Sequence, residues 1–224
     1  MYKGSRITVV IPCLNEEQGI QQVLNDLPEF VDEIIVVDNN STDRTAEVAR
    51  SMGAIVVPEL NRGYGRAYKK GFSHASGDII VTLDGDYSYP VDALSYLLEA
   101  HLHCRVGFLS ASRFPILNPE SMSAKHRVGN FILSAVMSVL FLRWVSDSQS
   151  GMWVFRRDAL PKMRLRSDGM AFSEEIKIEA LLQRNVRFGE ISIQYSSRVG
   201  ETKLNPWRDG LQNIVFLLKK RFVR

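Results

Sequence analysis

The stretch Asp78-Ile79-Ile80-Val81-Thr82-Leu83-Asp84-Gly85-Asp86-Tyr87-Ser88-Tyr89-Pro90 decides the fold. Ile79 to Leu83 is β-branched or apolar without polar alternation, the pattern of a strand buried on both faces. It runs directly into two carboxylates two residues apart, then into a proline that opens a helical pattern. A strand covered on both sides needs helices on both sides of its sheet, so strand and helix should alternate around it. They do: strands are predicted at Arg6–Pro12, Glu33–Asp38, Ala54–Val57, Asp78–Leu83 and Arg105–Ser110, with helical stretches at about 16–27, 43–52, 65–75 and 91–103. This predicts an α/β fold with a mainly parallel central sheet flanked by helices, joined by right-handed crossovers. Ligands of such sheets bind beyond the carboxyl ends of the strands.

Past residue 113 the pattern changes. A proline-containing loop (Phe114 to Glu120) leads to a helical stretch at about 122–144, a short strand around Trp153–Phe155, a helix at about 172–184, a strand pair at about 186–195 and a final helix. No repeat, low-complexity segment or linker interrupts the 224 residues. Hydrophobic residues at 45% and charged residues at 24% exclude a disordered tail, a collagen-like rod and a disulfide-stapled scaffold. Lys+Arg 28 against Asp+Glu 25 leaves +3, too little to argue for nucleic acid as a partner. Cys13 and Cys104 form no CxxC pair and stand in no metal-ligand spacing with His, so a reducing, cytoplasmic compartment is expected. Residues 1–12 lack a secretory-leader pattern, and the apolar run Phe131–Leu142 is shorter than the roughly 20 residues a membrane helix needs.

The strand ends carry the polar chemistry. After the first strand, Pro12-Cys13-Leu14-Asn15-Glu16-Glu17 reads as a helix start, with Asn15 as N-cap and Gln18 closing a capping box. The absence of glycine there excludes a dinucleotide-binding turn. After the second strand, Ser41, Thr42 and Asp43 suit capping, whereas Asp38 and Asn39 sit on the strand end and could hydrogen-bond a base or ribose. Gly63-Tyr64-Gly65 is either a turn or a close backbone approach to a ligand, with Arg62 or Arg66 near an anion. No phosphate-binding Walker loop occurs, so the phosphates of a bound nucleotide need another neutraliser. Asp84 and Asp86 would repel one another if partly buried, and a hard divalent cation, Mg2+ or Mn2+, relieves that cost. An Asp-Gly turn is the other reading, and the buried strand before it and the helix after it favour the cation.

In this order and spacing, IPCLNEE, VVDNNSTDRTAEVA, GYGRAYKKGF, ASGDIIVTLDGDYSYP, SRF, SDSQSGMWVFRRDAL, FSEEI and YSSRVGETKL run from about residue 7 to 204. The chain resembles the inverting family-two glycosyltransferases of the GT-A nucleotide-diphospho-sugar transferase fold, most closely the dolichyl-phosphate mannosyltransferase-like branch. The resemblance implies that Pro12, Leu14, Glu16, Val37 and Asn39 line a nucleoside pocket. It implies that Asp84, Gly85 and Asp86 form the DxD element, with Asp86 on the metal and Asp84 near ribose and diphosphate. Ser88 falls at the position of a third metal ligand, usually Gln, and Asn39 where many relatives carry Asp. Arg113 matches a basic residue near the phosphates, and Arg198 and Lys203 a cationic pair closing over donor and acceptor. Glu175 matches a recurrent acid under the active site. Asp147, Gln149 and Ser150 match an acceptor-facing loop.

A phosphate acceptor is already ionised at neutral pH and needs a cationic cradle rather than a strong base, whereas a hydroxyl acceptor would make Glu175 the base. The expected activity is metal-dependent transfer of a hexose, mannose from GDP-mannose first, to a polyprenyl (dolichyl-type) phosphate. A UDP-glucose-dependent polyprenyl-phosphate glucosyltransferase comes next, and a non-catalytic nucleotide-sugar-binding or membrane scaffold protein third. Lys125-His126-Arg127, the Phe131–Leu142 run and Arg143 suit either an interfacial helix or a core helix. Asn205 as N-cap, Pro206, the stripe Trp207, Leu211, Ile214, Val215 and Leu218, and Lys219, Lys220, Arg221 and Arg224 suit either a peripheral membrane anchor or a helix packed on the domain. The expected division is a catalytic domain over 1–204 and a basic amphipathic helix over 205–224, peripheral on the cytoplasmic face of a membrane or held by an integral membrane partner.

Overall fold

Val9 and Val10 are adjacent, fully buried, and belong to cores on opposite faces of one sheet. That alternation organises the protein. The computed structural model describes residues 1–116, 118–200 and 206–223. In chain order the elements are β1 (Ile7–Cys13), α1 (Glu17–Asp26), β2 (Glu33–Asp38), α2 (Thr45–Ser51), β3 (Ile55–Pro58), α3 (Tyr64–His74), β4 (Ile79–Thr82), α4 (Ala93–His103), β5 (Phe108–Ser112), α5 (Ala124–Phe141), β6 (Trp153–Arg156), α6 (Phe172–Leu182), β7 (Phe188–Ser192) and α7 (Pro206–Phe222). Among the described residues, seven strands form one sheet in the order β3-β2-β1-β4-β6-β5-β7.

The first half is parallel: β1 pairs with β2 and β4, and β2 with β3. β6 is the exception, running antiparallel between β4 and β5, while β5 and β7 are parallel. One core joins Ile7, Val9, Ile11, Val36 and Val81 to Ile20 of α1 and Leu94 and Leu97 of α4. The opposite core joins Val10, Ile35, Val37 and Ile80 to Tyr68 and Phe72 of α3 and Phe172 and Ile176 of α6. Gly71 permits this: a Cβ there would lie 2.4 Å from Val10 Cγ1, so α3 sits directly on the sheet.

Three sequence expectations change. The strand pair at 186–195 is a single strand, β7, whose line Ile193 extends by donating to the Ser112 carbonyl at 2.9 Å. Asn15 is not the cap of α1: Glu16 holds that position without a side-chain cap, and Asn15 has φ +52. The helix start is capped instead by the loop after β2. Glu16 N–H donates to Thr45 Oγ1 (2.8 Å), Glu17 N–H to Asp43 Oδ2 (3.2 Å), and Arg44 N–H returns to Glu17 Oε2 (3.0 Å). The orphan donors of a helix terminus are thus satisfied between loops, which local spacing does not reveal. The fifth strand also starts later than expected, after Arg105 at φ +50.

α5 and α7 each show two faces. Leu133 and Met137 of α5 and Leu217 of α7 pack with Val145 and Ile178 in a third cluster. The opposite sides expose Val128, Phe131, Val139, Leu211 and Phe222, followed after α5 by Leu142 and Trp144. Each helix thus has one face packed on the domain and one face exposed. Among the described residues, no helix is long and apolar enough to cross a membrane.

Candidate active site

β4 ends at Thr82, and Leu83 carries the chain into Asp84-Gly85-Asp86 at the carboxyl edge of the parallel strands. The turn is held by close packing. A Cβ on Gly85 would lie 2.5 Å from Cys13 Sγ, and one on Gly19 of α1 would lie 2.4 Å from the Gly85 carbonyl oxygen. Glycine at both positions lets the loop press against β1 and α1.

Asp84 Oδ1 accepts from Tyr64 (3.2 Å) and Tyr68 (3.3 Å), one helical turn apart on α3. Burial and then the neighbouring Asp86 charge push the Asp84 carboxyl up to about 7, with the tyrosine bonds acting against them. Burial raises the phenols of Tyr64, Tyr68 and Tyr89 well above their ordinary range, so they remain donors. A Cβ on Gly151 would lie 2.3 Å from the Tyr64 hydroxyl, and Tyr89 accepts from Gly151 N–H at 2.7 Å.

Asp86 is buried beside it. Its Oδ1 accepts from Ser88 Oγ (2.5 Å) and Ser88 N–H (3.0 Å), and its Oδ2 lies 3.2 Å from an Arg198 guanidinium nitrogen. The strap carrying Arg198 is bonded to this loop, through Ser196 N–H to the Ser88 carbonyl (3.0 Å) and Val199 N–H to the Asp86 carbonyl (2.8 Å). Arg198 also reaches Glu16 Oε1 at 3.1 Å, while its Nε is buried with no partner among the described residues. Unmatched buried donors are rare in folded proteins, and this one suits an anion.

The donor set fits a small divalent cation. Asp84 and Asp86 are hard oxygen ligands whose mutual repulsion a cation would remove. Among the described residues no three His, Cys, Asp or Glu side chains form a ready metal cage. The remaining positions would fall to diphosphate oxygens and water, as Mg2+ commonly arranges them. Ser88, expected as a third ligand, is fully buried, and its hydroxyl donates to Asp86 Oδ1.

Other sequence-predicted residues are distributed as follows. Pro12 and Leu14 are half-buried at the β1 end, close to Glu16. Val37 does not line a pocket: its side chain is fully buried under α3, because its strand parity points it to that core. Asn39 has its carboxamide bonded to the main chain of the β3–α3 loop. Arg113 forms a two-pronged pair with fully buried Asp147, both contacts at 2.8 Å, and lies 5.3 Å over the Tyr195 ring. Despite burial, the guanidinium and Asn130 hold the Asp147 carboxyl well below the usual carboxylate range. Lys203 lies outside the described residues.

Both carboxylate oxygens of Glu175 are engaged by groups outside the Asp84–Asp86 loop. Its Oε2 accepts from Arg166 N–H (2.8 Å) and Ser167 N–H (2.6 Å), and its Oε1 from Lys220 of α7 (2.9 Å). Its neighbour Glu174 supports the 147–150 loop instead, accepting from Gln149 at 2.8 Å; Gln149 in turn accepts from Asn213 of α7 at 3.1 Å. Burial raises the Glu174 carboxyl well above its ordinary value. Lys177, fully buried, donates to the Asp147 (2.7 Å) and Ser150 (2.9 Å) carbonyls. Glu174, Lys177, Tyr64, Tyr68 and Tyr89 escape a motif reading. The i, i+4 spacing of Tyr64 and Tyr68 after a glycine was the available signal. A cleft of about 680 Å3, bounded by Tyr64, Asp168, Met170, Asp209 and Asn213, opens beside this cluster.

The family model for glycosyl transferase family 2 matches residues 8–164. The low-salt glycan biosynthesis hexosyltransferase Agl6 of Haloferax volcanii is 36% identical over 95% of the chain, which spans only 53% of that protein. The dolichyl-phosphate hexose transferase of the same organism is 32% identical, with 93% of this chain and 91% of that one covered. Among solved structures, glucosyl-3-phosphoglycerate synthase from Mycobacterium tuberculosis, in complex with Mn2+, UDP and phosphoglyceric acid, superposes with a TM-score of 0.76 at 23% identity, covering 97% of this chain and 78% of that one. That likeness shows the GT-A fold.

Proposed function

This chain belongs to glycosyl transferase family 2 and is a glycosyltransferase, and on that premise we propose that it moves a hexose from a nucleotide sugar to a polyprenyl (dolichyl-type) phosphate. The observation that carries the reading is the convergence of Asp84 and Asp86 with Arg198 and Glu16 at the end of β4. The similarity to a dolichyl-phosphate hexose transferase over nearly the full length of both chains supports the acceptor class.

Mn2+ or Mg2+ on Asp84 and Asp86 would offset the charge that develops on the departing diphosphate. The protein's own groups do the rest. Tyr64 and Tyr68 fix one Asp84 oxygen and leave the other for ligand. Ser88 orients Asp86. Arg198 would exchange its carboxylate partners for phosphate oxygens, a role the family resemblance also gives Lys203; cations aimed at developing charge stabilise the transition state most strongly where water is excluded. The acceptor phosphate attacks C1 from the face opposite the leaving group and inverts the configuration. It arrives ionised, so Glu175 need not accept a proton and serves as an anchor for α7 and the 166–167 loop.

Mannose from GDP-mannose is the first choice of donor and UDP-glucose the second. The exposed apolar residues of α5 and α7, rimmed by Lys125, Arg127, Arg143 and Lys219, would meet the lipid surface that holds the acceptor. The test is direct. The protein is incubated with GDP-mannose or UDP-glucose, a short polyprenyl phosphate, and Mn2+ or EDTA, and the lipid product is read by mass spectrometry. A metal-dependent glycosyl-phosphoryl-polyprenol from one donor is expected. No lipid product from any nucleotide sugar, with turnover onto a hydroxyl acceptor instead, would overturn the acceptor assignment.

A further inference from the structure

Asn39 directly follows β2 and is almost completely buried. Both amide hydrogens are taken: Nδ2 donates to the carbonyl oxygens of Glu59 (3.1 Å) and Asn61 (2.9 Å). Its Oδ1 accepts from Gly63 N–H at 2.7 Å. The same loop is gripped from its other side. A Cβ at Gly63 would lie 2.5 Å from the Asp168 carbonyl oxygen, which also accepts from Arg66 N–H at 3.2 Å. Gly63 therefore sits between two fixed points. The next residue, Tyr64, opens α3 and donates to Asp84 Oδ1 at 3.2 Å. An unbroken series of contacts runs from Asn39 through Gly63 and Tyr64 to Asp84.

The residue type matters. Two of the three bonds require a donor, which a carboxylate lacks, and Asp at this position would set negative charge against two carbonyl dipoles. An amide engaged in this way has no hydrogen left to donate to a base, and its oxygen is already turned to Gly63 N–H. We propose that Asn39 is a positioning residue: it clips the 59–63 loop, thereby setting Tyr64 against Asp84, and it reads no part of the nucleotide. The proposal deepens the glycosyl-transfer reading and rests on it only for the ligands used in its test.

The experiment compares the protein with Asn39→Asp, Asn39→Ala, Tyr64→Phe and the Asn39→Ala/Tyr64→Phe double variant. Melting temperatures are measured, and UDP and GDP are titrated calorimetrically in Mn2+. The Asn39 variants should melt about 4 °C or more lower. They should bind both nucleotides about fivefold to tenfold more weakly, keeping the UDP/GDP affinity ratio within about twofold of the parent. The double variant should bind no more weakly than Asn39→Ala, because Tyr64 is already displaced. A fivefold change in the UDP/GDP ratio would show that Asn39 reads the base and would overturn the proposal. So would lower melting with unchanged nucleotide affinity, the mark of a purely structural role, or additive losses in the double variant. If Asn39→Asp does not fold, Asn39→Ala decides. If the parent binds neither nucleotide in Mn2+, the glycosyl-transfer reading fails, and the melting temperatures of the double variant decide the clip: non-additive changes support it and additive ones refute it.

Discussion

One guanidinium nitrogen of Arg198 lies 3.1 Å from Glu16 Oε1 and 3.2 Å from Asp86 Oδ2, so the strap after β7 places its cation on the carboxylate proposed to hold the metal. The arginine and a metal ion would compete for Asp86. Removing the arginine should raise the affinity for Mn2+ alone, by about threefold to tenfold for a partly buried charge pair. Arg198→Ala should nonetheless transfer sugar more slowly, by about 100-fold or more, since the cation is lost from the departing diphosphate. Titration of Mn2+ without nucleotide, alongside turnover, checks both. Weaker Mn2+ binding in the variant would show that Arg198 supports the metal site instead of competing with it.

Arg113 and Asp147 are buried partners, and the carboxylate also accepts from Asn130 and from the Gln149 main chain at 3.1 Å. Removing one member of such a pair leaves the other as an uncompensated buried charge, costing about 3–5 kcal/mol. Arg113→Ala should lower the stability to urea by that amount, and Arg113→Met/Asp147→Leu should recover part of it. Because the native Asp147 carboxyl is held below its ordinary range, its contribution is complete above about pH 4 and declines as pH falls further. A single Arg113→Ala loss under 1 kcal/mol would contradict this account.

His101 of α4 is buried, its Nδ1 has no partner among the described residues, and burial lowers its pKa to about 4. Between about pH 4 and 6.5 the unfolded chain takes up a proton that the native imidazole refuses. Stability should therefore fall as pH drops through that window, by up to about 3 kcal/mol from this residue. His101→Leu should flatten that part of the pH–stability curve relative to the parent. Parallel curves for the two proteins would show that His101 does not titrate in this way.

Glu175 holds Lys220 and two main-chain N–H groups, while Glu174 faces the 147–150 loop. Glu175→Gln keeps an acceptor for the N–H groups and loses the ion pair, so a stability loss of about 1–3 kcal/mol is expected. Turnover at saturating donor should change less than about tenfold, as befits an anchor and not a base. A loss of turnover near 1,000-fold with unchanged melting would identify Glu175 as a catalytic base.

Much of this organisation is legible in the sequence because it depends on continuous signals. The uninterrupted run Ile79–Leu83 ending in two acids locates β4 and the paired carboxylates before any tertiary contact is known. What escapes depends on rotation and partnership. Val37 lies on a face of β2 whose covering helix, α3, alternation alone does not name, and Asn39 just beyond the strand meets the 59–63 loop. Glu174 and Glu175 are about 100° apart on one helix, so which of them meets Gln149 and which meets Lys220 depends on how α6 is rolled against the sheet. The cap of α1 comes from a loop 26 to 29 residues away, whereas local spacing names Asn15. β7 reads as two strands because its edge position leaves it half-buried and weakly patterned.

A divalent cation on Asp84 and Asp86 would couple nucleotide binding to transfer. Calorimetric titration of GDP and UDP into the parent protein and Asp86→Ala, in Mn2+ and in EDTA, tests it most directly. The parent should bind one nucleotide at least tenfold more tightly in Mn2+, and the variant, melting within a few degrees of the parent, should show no such gain. Equal affinity in EDTA and Mn2+ for the parent, or a full Mn2+ gain in Asp86→Ala, would contradict the account.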